Sequence, residues 1–117
     1  MSTYELELDG GADAGVVVAA LSGELDLTNA RELEERLEAA APATALLVVD
    51  LNRVVFIDSA ALHVLFKLAR QRGREHLALL LEPTAAVSRT LDIVGMKDAL
   101  RIVPTLDDLR PASSAEV

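Results

Sequence analysis

The residues most suited to chemistry are Asp58 and Ser59, the only polar side chains in the stretch from Phe56 to Leu62. They lie where an apolar strand segment, after a short link, is followed by an apolar helix. The first N–H groups of a helix have no partners within it, and the positive end of the helix dipole lies there. Asp58 or Ser59 can therefore cap the helix, and a phosphate on Ser59 would lie in the same favourable field. Without further context, an Asp-Ser pair in this position is most simply a helix cap.

A second polar segment, Gly23 to Asn29, follows a strand and precedes a helix, as the segment from Asn52 to Ser59 does. The carboxyl ends of parallel strands meet at one edge of a sheet, where α/β folds place the loops that contact ligands. Both segments should lie at that edge. We therefore expect Asp26 and Ser59 to be neighbours or near-neighbours.

The elements that position these side chains follow from the hydrophobic pattern. Tyr4 to Leu8 alternates apolar and acidic residues, as an edge strand does, whereas Leu46 to Leu51 is the nearly continuous apolar run of a buried parallel strand. The predicted order is strands Tyr4–Leu8 and Val16–Ser22, a helix from Asn29 to Ala41, strand Leu46–Leu51, a helix ending near Gly73, strand Leu77–Leu81, a helix over Ala85–Val94 capped by Thr84 and closed by Gly95, a short strand Ile102–Val103 and a helical turn Leu106–Leu109.

This alternation predicts a single α/β domain. Strands that alternate with helices are parallel and joined by right-handed crossovers, and sequential neighbours place the helices on one face. We expect a mixed, mostly parallel sheet of four to five strands, with helices packed mainly on one face and the first strand antiparallel at the edge. A chain of 117 residues is long enough for one core of this kind.

The first predicted helix carries charged residues at regular spacing. Asn29 is its expected N-cap, and Glu32 lies three residues later, as in a capping box. Arg31 with Glu35, and Glu32 with Arg36, have the i,i+4 spacing of ion pairs on a solvated face.

The second predicted helix ends in the basic residues Lys67, Arg70, Arg72 and Arg74. Cations complement the negative end of the helix dipole, and Gly73 suits the left-handed conformation that often ends a helix. We interpret this cluster as structural rather than as a docking surface.

Composition excludes several classes of protein. A net charge of −8 with only 3% aromatic residues predicts that the protein binds neither nucleic acid nor an anionic membrane surface directly. There is no cysteine and no cluster with metal-ligand spacing, so we expect no disulfide, no metal site and no cofactor. The acidic start of the chain and its short apolar runs favour a cytoplasmic protein without a membrane span.

Four motifs in order carry a resemblance to a known family. The sequence resembles the STAS domain family, and most closely its bacterial anti-anti-sigma factors, also called anti-sigma factor antagonists. The resemblance covers Tyr4 to Leu109 and implies one STAS-type domain over residues 1–110. Residues 111–117 have too little apolar surface to pack, so we expect a flexible C-terminal tail. The motifs are Ser22-Gly23-Glu24-Leu25-Asp26, Val48-Val49-Asp50-Leu51, Phe56-Ile57-Asp58-Ser59 with Leu62, and Ala86-Val87-Ser88-Arg89 through Asp92 and Gly95-Met96.

This resemblance implies a binding switch. The unphosphorylated antagonist binds an anti-sigma factor that is itself an ATP-binding serine kinase, and so releases a sigma factor; phosphorylation by that kinase ends the binding. It implies that Ser59 is the phosphoacceptor, with Asp58 beside it and Asp26 nearby, and that Asn29 and Leu62 complete the partner-binding set. No catalytic residue is expected, and we predict a monomer or weak dimer.

Three residues depart from the family pattern. The family commonly has glycine at Ala61 and at His63, and often threonine at Asn29. The methyl group of Ala61 is expected beside the site, where a kinase must approach closely. His63 lies one turn after Ser59 and is interpreted as a half-exposed surface histidine that can also face a phosphate.

Other functions remain open at this point. A serine hydrolase would use Ser59 as nucleophile and His63 as base, but the Gly-x-Ser-x-Gly elbow is absent. A STAS-type module of a stress-signalling complex, or of a lipid or anion transport system, would bind a stable partner and never be phosphorylated. Nucleotide binding lacks a Gly-rich phosphate loop. For the switch, a phosphate adds a charge of about −1.5 to −2, which repels Asp26 and Asp58 and should weaken partner binding with little change in fold.

Overall fold

The chain alternates strands and helices, and this computed structural model describes residues 3–10, 15–93, 95 and 99–109. The elements are β1 (Tyr4–Asp9), β2 (Val16–Leu25), α1 (Ala30–Ala40), β3 (Leu46–Ile57), α2 (Ser59–Arg72), β4 (Leu77–Leu80), α3 (Ser88–Ile93), β5 (Ile102–Val103) and a 3-10 turn (Leu106–Leu109). Their order is the predicted one. The tail expected at 111–117 lies outside the described residues.

The described strands form one five-stranded sheet in the order β1-β2-β3-β4-β5. β1 is antiparallel to β2, and each later pair is parallel. Every strand thus lies beside its neighbour in sequence, and the connections from β2 to β3 and from β3 to β4 contain α1 and α2. The predicted mixed, mostly parallel sheet is confirmed.

One face of the sheet is covered by α1 and α2, which contact each other and the strands. Leu33 and Leu37 of α1, and Leu65 and Leu68 of α2, are buried in the main core. Alternate strand residues point to the opposite face. A smaller apolar cluster lies there, with buried members Val48, Leu80 and Val103. Within the described ranges, no helix is long and apolar enough to cross a membrane.

β2 and β3 extend well beyond their predicted ends, whereas β1 ends one residue later, at Asp9, and β4 one residue earlier, at Leu80. β2 continues past Ser22 because its later residues still pair with β3, as Glu24 does with Phe56. The pairing register shifts just before Ser22 and again between Gly23 and Glu24. Gly23 has a φ of +92°, and a Cβ there would lie 2.3 Å from the carbonyl oxygen of Thr3, so only glycine fits. The prediction that Gly23 begins a loop was therefore wrong, and each polar loop is shorter than expected.

The third helix is shorter than predicted. It begins at Ser88 rather than after Thr84, because the preceding residues form tight turns in which Ala85 donates to Glu82 and Ser88 donates to Ala85. Gly95 has a φ of +71° and suits the helix end expected there. The expected last residue of this helix, at position 94, lies outside the described residues.

Arg72, at the end of α2, holds the connection between α1 and β3. Its guanidinium donates to the carbonyl oxygens of His76, Pro42 and Ala45 at 2.9, 2.9 and 2.7 Å. Burial lowers the pKa of Arg72. Arg72 therefore binds specific carbonyl oxygens of neighbouring loops. These contacts add to the general stabilisation that a cation provides at the C-terminal end of a helix.

Tyr4 connects the edge strand to α1. Its hydroxyl donates to Glu32 Oε1 at 2.7 Å and accepts from Arg36 at 3.2 Å, and the side chain is only 3% exposed. The predicted Glu32–Arg36 contact is thus bridged by a buried phenol. Burial raises the pKa of Tyr4, and the hydrogen bond to Glu32 raises it further.

We expect the substitution Tyr4→Phe to lower the free energy of unfolding by about 1–2 kcal/mol at neutral pH, because it removes the hydroxyl between two charged partners. A raised pKa means that the folded state favours the protonated phenol. The stabilisation is therefore full below the usual pKa of 10.0 and is lost as pH rises through the raised value. Urea unfolding of both proteins at about pH 7 and about pH 10.5 should show the difference shrinking. A difference that grows with pH would contradict this assignment.

Candidate functional site

Asp58 joins the two loops at the carboxyl edge of the sheet. Its Oδ1 accepts from the backbone N–H of Ala61 at 3.1 Å, which caps α2. Its Oδ2 accepts from the backbone N–H of Leu27 at 3.0 Å, in the loop between β2 and α1. Both carboxylate oxygens are thus occupied by backbone donors, and the predicted role of Asp58 as a cap is confirmed.

Ser59 is exposed at the first position of α2. Because Asp58 is the cap, the Ser59 hydroxyl is not needed to start the helix. It lies at the positive end of the helix dipole, where N–H groups lack helical partners and an anion is stabilised. The position therefore combines an accessible hydroxyl with a field that favours a phosphate.

Ala61 does not crowd this hydroxyl. Its side chain is fully buried and belongs to the main core. The expectation that its methyl group lies beside the site was wrong, because the position faces the sheet rather than the surface. His63, one turn after Ser59, is exposed.

Asp26 shapes the loop that Asp58 holds. Its Oδ1 accepts from the backbone N–H of Thr28 at 3.0 Å and from the Thr28 hydroxyl. The next residue, Leu27, is hydrogen-bonded to Asp58, the residue before Ser59. Asp26 and Ser59 are thus near-neighbours at the sheet edge, as the topology predicts.

Asn29 is an internal anchor of the same loop. It occupies the N-cap position of α1 but its side chain makes no capping bond. Instead, Oδ1 accepts from the backbone N–H of Asp26 at 2.9 Å, and Nδ2 donates to the carbonyl oxygen of Glu24 at 3.0 Å and to Thr3 Oγ1 at 3.2 Å.

The predicted capping box of Asn29 and Glu32 was therefore wrong. An amide can donate and accept at once, so Asn29 satisfies three partners from different segments. Glu32 instead receives the hydroxyl of Tyr4. With an exposure of 8%, Asn29 positions the loop from within.

Leu62 is also buried, with an exposure of 6%, and belongs to the core beneath the site. Of the five residues expected to bind a partner, Asn29 and Leu62 lie inside. Asp26 and Asp58 are half-buried, and Ser59 is exposed.

Three apolar side chains at this edge were not predicted as site residues. Leu27 is 76% exposed, Val55 65% and Phe56 49%. We call them the apolar rim. Over residues 54–57 the pattern is buried, exposed, exposed, buried, so strand alternation alone would predict only one of Val55 and Phe56 to be exposed.

The arrangement suits anion placement and protein contact better than hydrolysis. Among the described residues, no hydrogen bond joins Ser59 to His63, and the nearest carboxylate, Asp58, is fully used by backbone N–H groups. The described part of the chain also contains no group of acidic residues and histidines able to hold a metal ion.

The family assignment agrees with this geometry. The model of the STAS domain matches residues 10–109. The chain belongs to the STAS domain family. The resemblance seen in its motifs is thereby confirmed.

Solved structures of other proteins show the same fold. The chain is similar to an anti-sigma factor antagonist from Mycobacterium paratuberculosis, with 29% identity over 91% of this chain and 90% of that one and a TM-score of 0.75. It is similar to the anti-sigma factor antagonist SpoIIAA in its unphosphorylated form, with 15% identity over 89% and 92% of the chains and a TM-score of 0.60. It also matches part of the murine anion transporter Solute Carrier 26 family member A9, with 20% identity over 83% of this chain and 17% of the transporter and a TM-score of 0.61. No match was found among curated proteins.

We expect Asp58→Asn to separate the two functions of Asp58. Asparagine caps helices as well as aspartate, but its NH₂ group cannot accept from Leu27. The free energy of unfolding should fall by about 0.5–1 kcal/mol, and hydrogen exchange should accelerate at the Leu27 amide while the Ala61 amide stays protected.

The matched control is Asp26→Asn, because the Asp26 oxygen that binds Thr28 is retained in the amide. We expect a change below about 0.5 kcal/mol. If hydrogen exchange at the Leu27 amide is unchanged in Asp58→Asn, the hydrogen bond from Leu27 to Asp58 does not hold the loop.

Proposed function

We propose that this STAS domain is an anti-sigma factor antagonist that binds an ATP-binding anti-sigma factor serine kinase through the surface around Ser59. Phosphorylation of Ser59 by that kinase ends the binding. The observation that carries this proposal is the exposed Ser59 hydroxyl, held at a helix start by an aspartate that performs the capping itself. The similarity to the Mycobacterium paratuberculosis antagonist supports it.

The local structure fits a switch that leaves the fold intact. Since Ser59 is exposed and is not the cap, a phosphate there displaces no structural contact. It adds a charge of about −1.5 to −2 beside the half-buried carboxylate of Asp26. In solution water screens this repulsion, but a bound partner excludes the water, so the phosphate disfavours the complex more than the free protein. The fold also occurs in SpoIIAA from Bacillus in its phosphorylated form.

The apolar rim supplies the contact area that a protein partner needs. Protein interfaces have an apolar centre with polar groups around it. Leu27, Val55 and Phe56 are the exposed apolar side chains of the loop and strand end that precede α1 and α2, and Asp26 adjoins Leu27 in the chain. Asn29 and Leu62 serve the interface indirectly, by fixing the loop and the helix from below.

Charges along the free edge of the sheet favour a monomer or weak dimer. β1 carries Glu5, Glu7 and Asp9, which are all exposed. Acidic residues on an edge strand oppose its pairing with a second copy. Together with the net charge of −8, they also fit a cytoplasmic regulator that binds neither nucleic acid nor membrane directly and carries no catalytic function of its own.

A second candidate function is a STAS module within a larger assembly, such as an anion transport system. The fold similarity to the murine transporter and to a sulfate transporter family protein from Wolinella succinogenes, with a TM-score of 0.64 at 21% identity, favours it. This alternative requires a stable partner other than a kinase and a Ser59 that is never phosphorylated in the cell.

Affinity purification from the native cell tests the switch, with wild type, Ser59→Ala and Ser59→Glu as baits and mass spectrometry of wild type for phosphate. We expect wild type and Ser59→Ala to retain an ATP-binding kinase, and Ser59→Glu to bind it at least about tenfold more weakly. The unfolding midpoints should agree.

Thr44→Glu is the matched control, because Thr44 is exposed in a loop at the opposite end of β3. It should bind as wild type does. Equal kinase binding by all four proteins, or absence of phosphate on Ser59, would reject the proposed switch.

We expect Leu27→Ser to weaken kinase binding by about tenfold, because burying a leucine contributes about 1.5–3 kcal/mol. Leu8→Ser is its control, since Leu8 is 52% exposed on the edge strand away from the site. Isothermal titration calorimetry with the purified kinase measures both. If the two variants lose affinity equally, the apolar rim does not form the interface.

A further inference from the structure

The surface of α2 differs in charge from the rest of the chain. Its sequence from Ser59 to Arg72 includes Lys67 and Arg70 but no acidic residue, in a chain with a net charge of −8. Four glutamates occur in α1, by contrast. The helix that begins at Ser59 is thus a positively charged element in an acidic protein.

Structural roles account for only part of this charge. Arg72 is bound to loop carbonyls, and Lys67 Nζ lies 2.7 Å from Glu34 Oε2 on α1. The hydrogen bond to Glu34 raises the pKa of Lys67 and keeps it protonated. Arg70 is exposed and forms no ion pair or hydrogen bond with any described residue. Arg70 lies in the last turn of α2, where it complements the helix dipole as expected, and its guanidinium group is also accessible to a partner.

A groove of about 670 Å³ runs along this helix, and the described residues that line it are His63, Phe66, Lys67, Arg70 and Gln71. His63, Phe66 and Arg70 follow Ser59 at i+4, i+7 and i+11, so they share its face of the helix. Phe66 is half-buried against the main core and provides an apolar floor between polar side chains.

We propose that this groove binds an acidic helical segment of the partner protein, as a continuation of the contact at Ser59. From Ser59 to Arg70 the helix rises about 16 Å, which matches about three turns of a bound helix. A carboxylate of the segment would pair with Arg70, and an apolar side chain would cover Phe66, while Lys67 keeps its ion pair with Glu34 of α1. A second copy of this chain is a poor occupant, because two molecules of charge −8 repel each other.

This inference rests on the proposed function in taking the segment to belong to the same kinase. It also adds to the switch. A phosphate on Ser59 would lie at one end of the groove, on the face that receives the carboxylates, and would repel the acidic segment. The positive groove would thus make partner binding sensitive to the charge on Ser59.

A synthetic amphipathic peptide of about 16 residues, with glutamate and leucine at helical spacing, tests the groove directly in ¹⁵N NMR titrations of the full chain. We expect shifts at His63, Phe66 and Arg70, and at least about fivefold weaker binding when glutamine replaces each glutamate. Arg70→Gln should weaken binding of the glutamate peptide by about threefold to fivefold.

Arg53→Gln is the matched control, because Arg53 is an exposed arginine on β3 that lines a different groove, with Glu7 and Asp50. It should bind the peptide as wild type does. The inference is overturned if the glutamine peptide binds equally, if both variants behave alike, or if Arg70→Gln changes self-association in sedimentation without peptide. Stronger binding to phosphatidylserine vesicles than to the peptide would also overturn it.

The same two variants, tested with the purified kinase, separate this inference from the proposed function. If wild type binds the kinase and Ser59→Glu does not, but Arg70→Gln and Arg53→Gln bind equally, the function stands and the groove is not the contact. If wild type binds no kinase, the proposed function fails and the peptide titration alone decides the groove.

Discussion

The Asp58 carboxylate is the interaction on which the site depends. One oxygen starts α2 and the other holds the loop between β2 and α1, so a single side chain sets both the direction of a helix and the position of a neighbouring turn. Because Asp58 performs the capping, Ser59 is not needed as the cap of α2, and the residue is exposed. Asn29 supports the same loop from inside. The half-buried Asp58 and the buried Asn29 thus hold the helix start and the neighbouring loop, and leave Ser59 accessible.

Local patterns in the sequence predicted the order of elements, the parallel sheet and the meeting of the two loops at one edge. They failed where distant segments decide the outcome. Glycine is typical of turns, but pairing with β3 keeps Gly23 in a strand. Asn29 and Glu32 have the spacing of a capping box, but Tyr4, far away in sequence, binds Glu32. Burial of Ala61 and Leu62, by contrast, follows from the apolar stripe that helical spacing places on the core face of α2.

The STAS fold alone does not decide between functions, because it occurs both in antagonists and in a transporter. What distinguishes this chain is the combination of side chains at its carboxyl edge and along α2. An exposed serine begins α2, exposed apolar side chains lie at the end of β3 and in the loop after β2, and a groove that includes Arg70 runs along α2. Each property alone is common on proteins, but together they are the features on which the proposed recognition of a partner rests.

Arg72 gives α2 a property that matters for recognition. The helix is fixed by Asp58 at its first turn and by the Arg72 guanidinium, which donates to the carbonyl oxygens of neighbouring loops, at its last. Since neither end can fray easily, the side chains between them are already held in the geometry that a partner would meet. Association then loses little conformational entropy on this side of the interface, so even modest contacts along the helix can be converted into affinity.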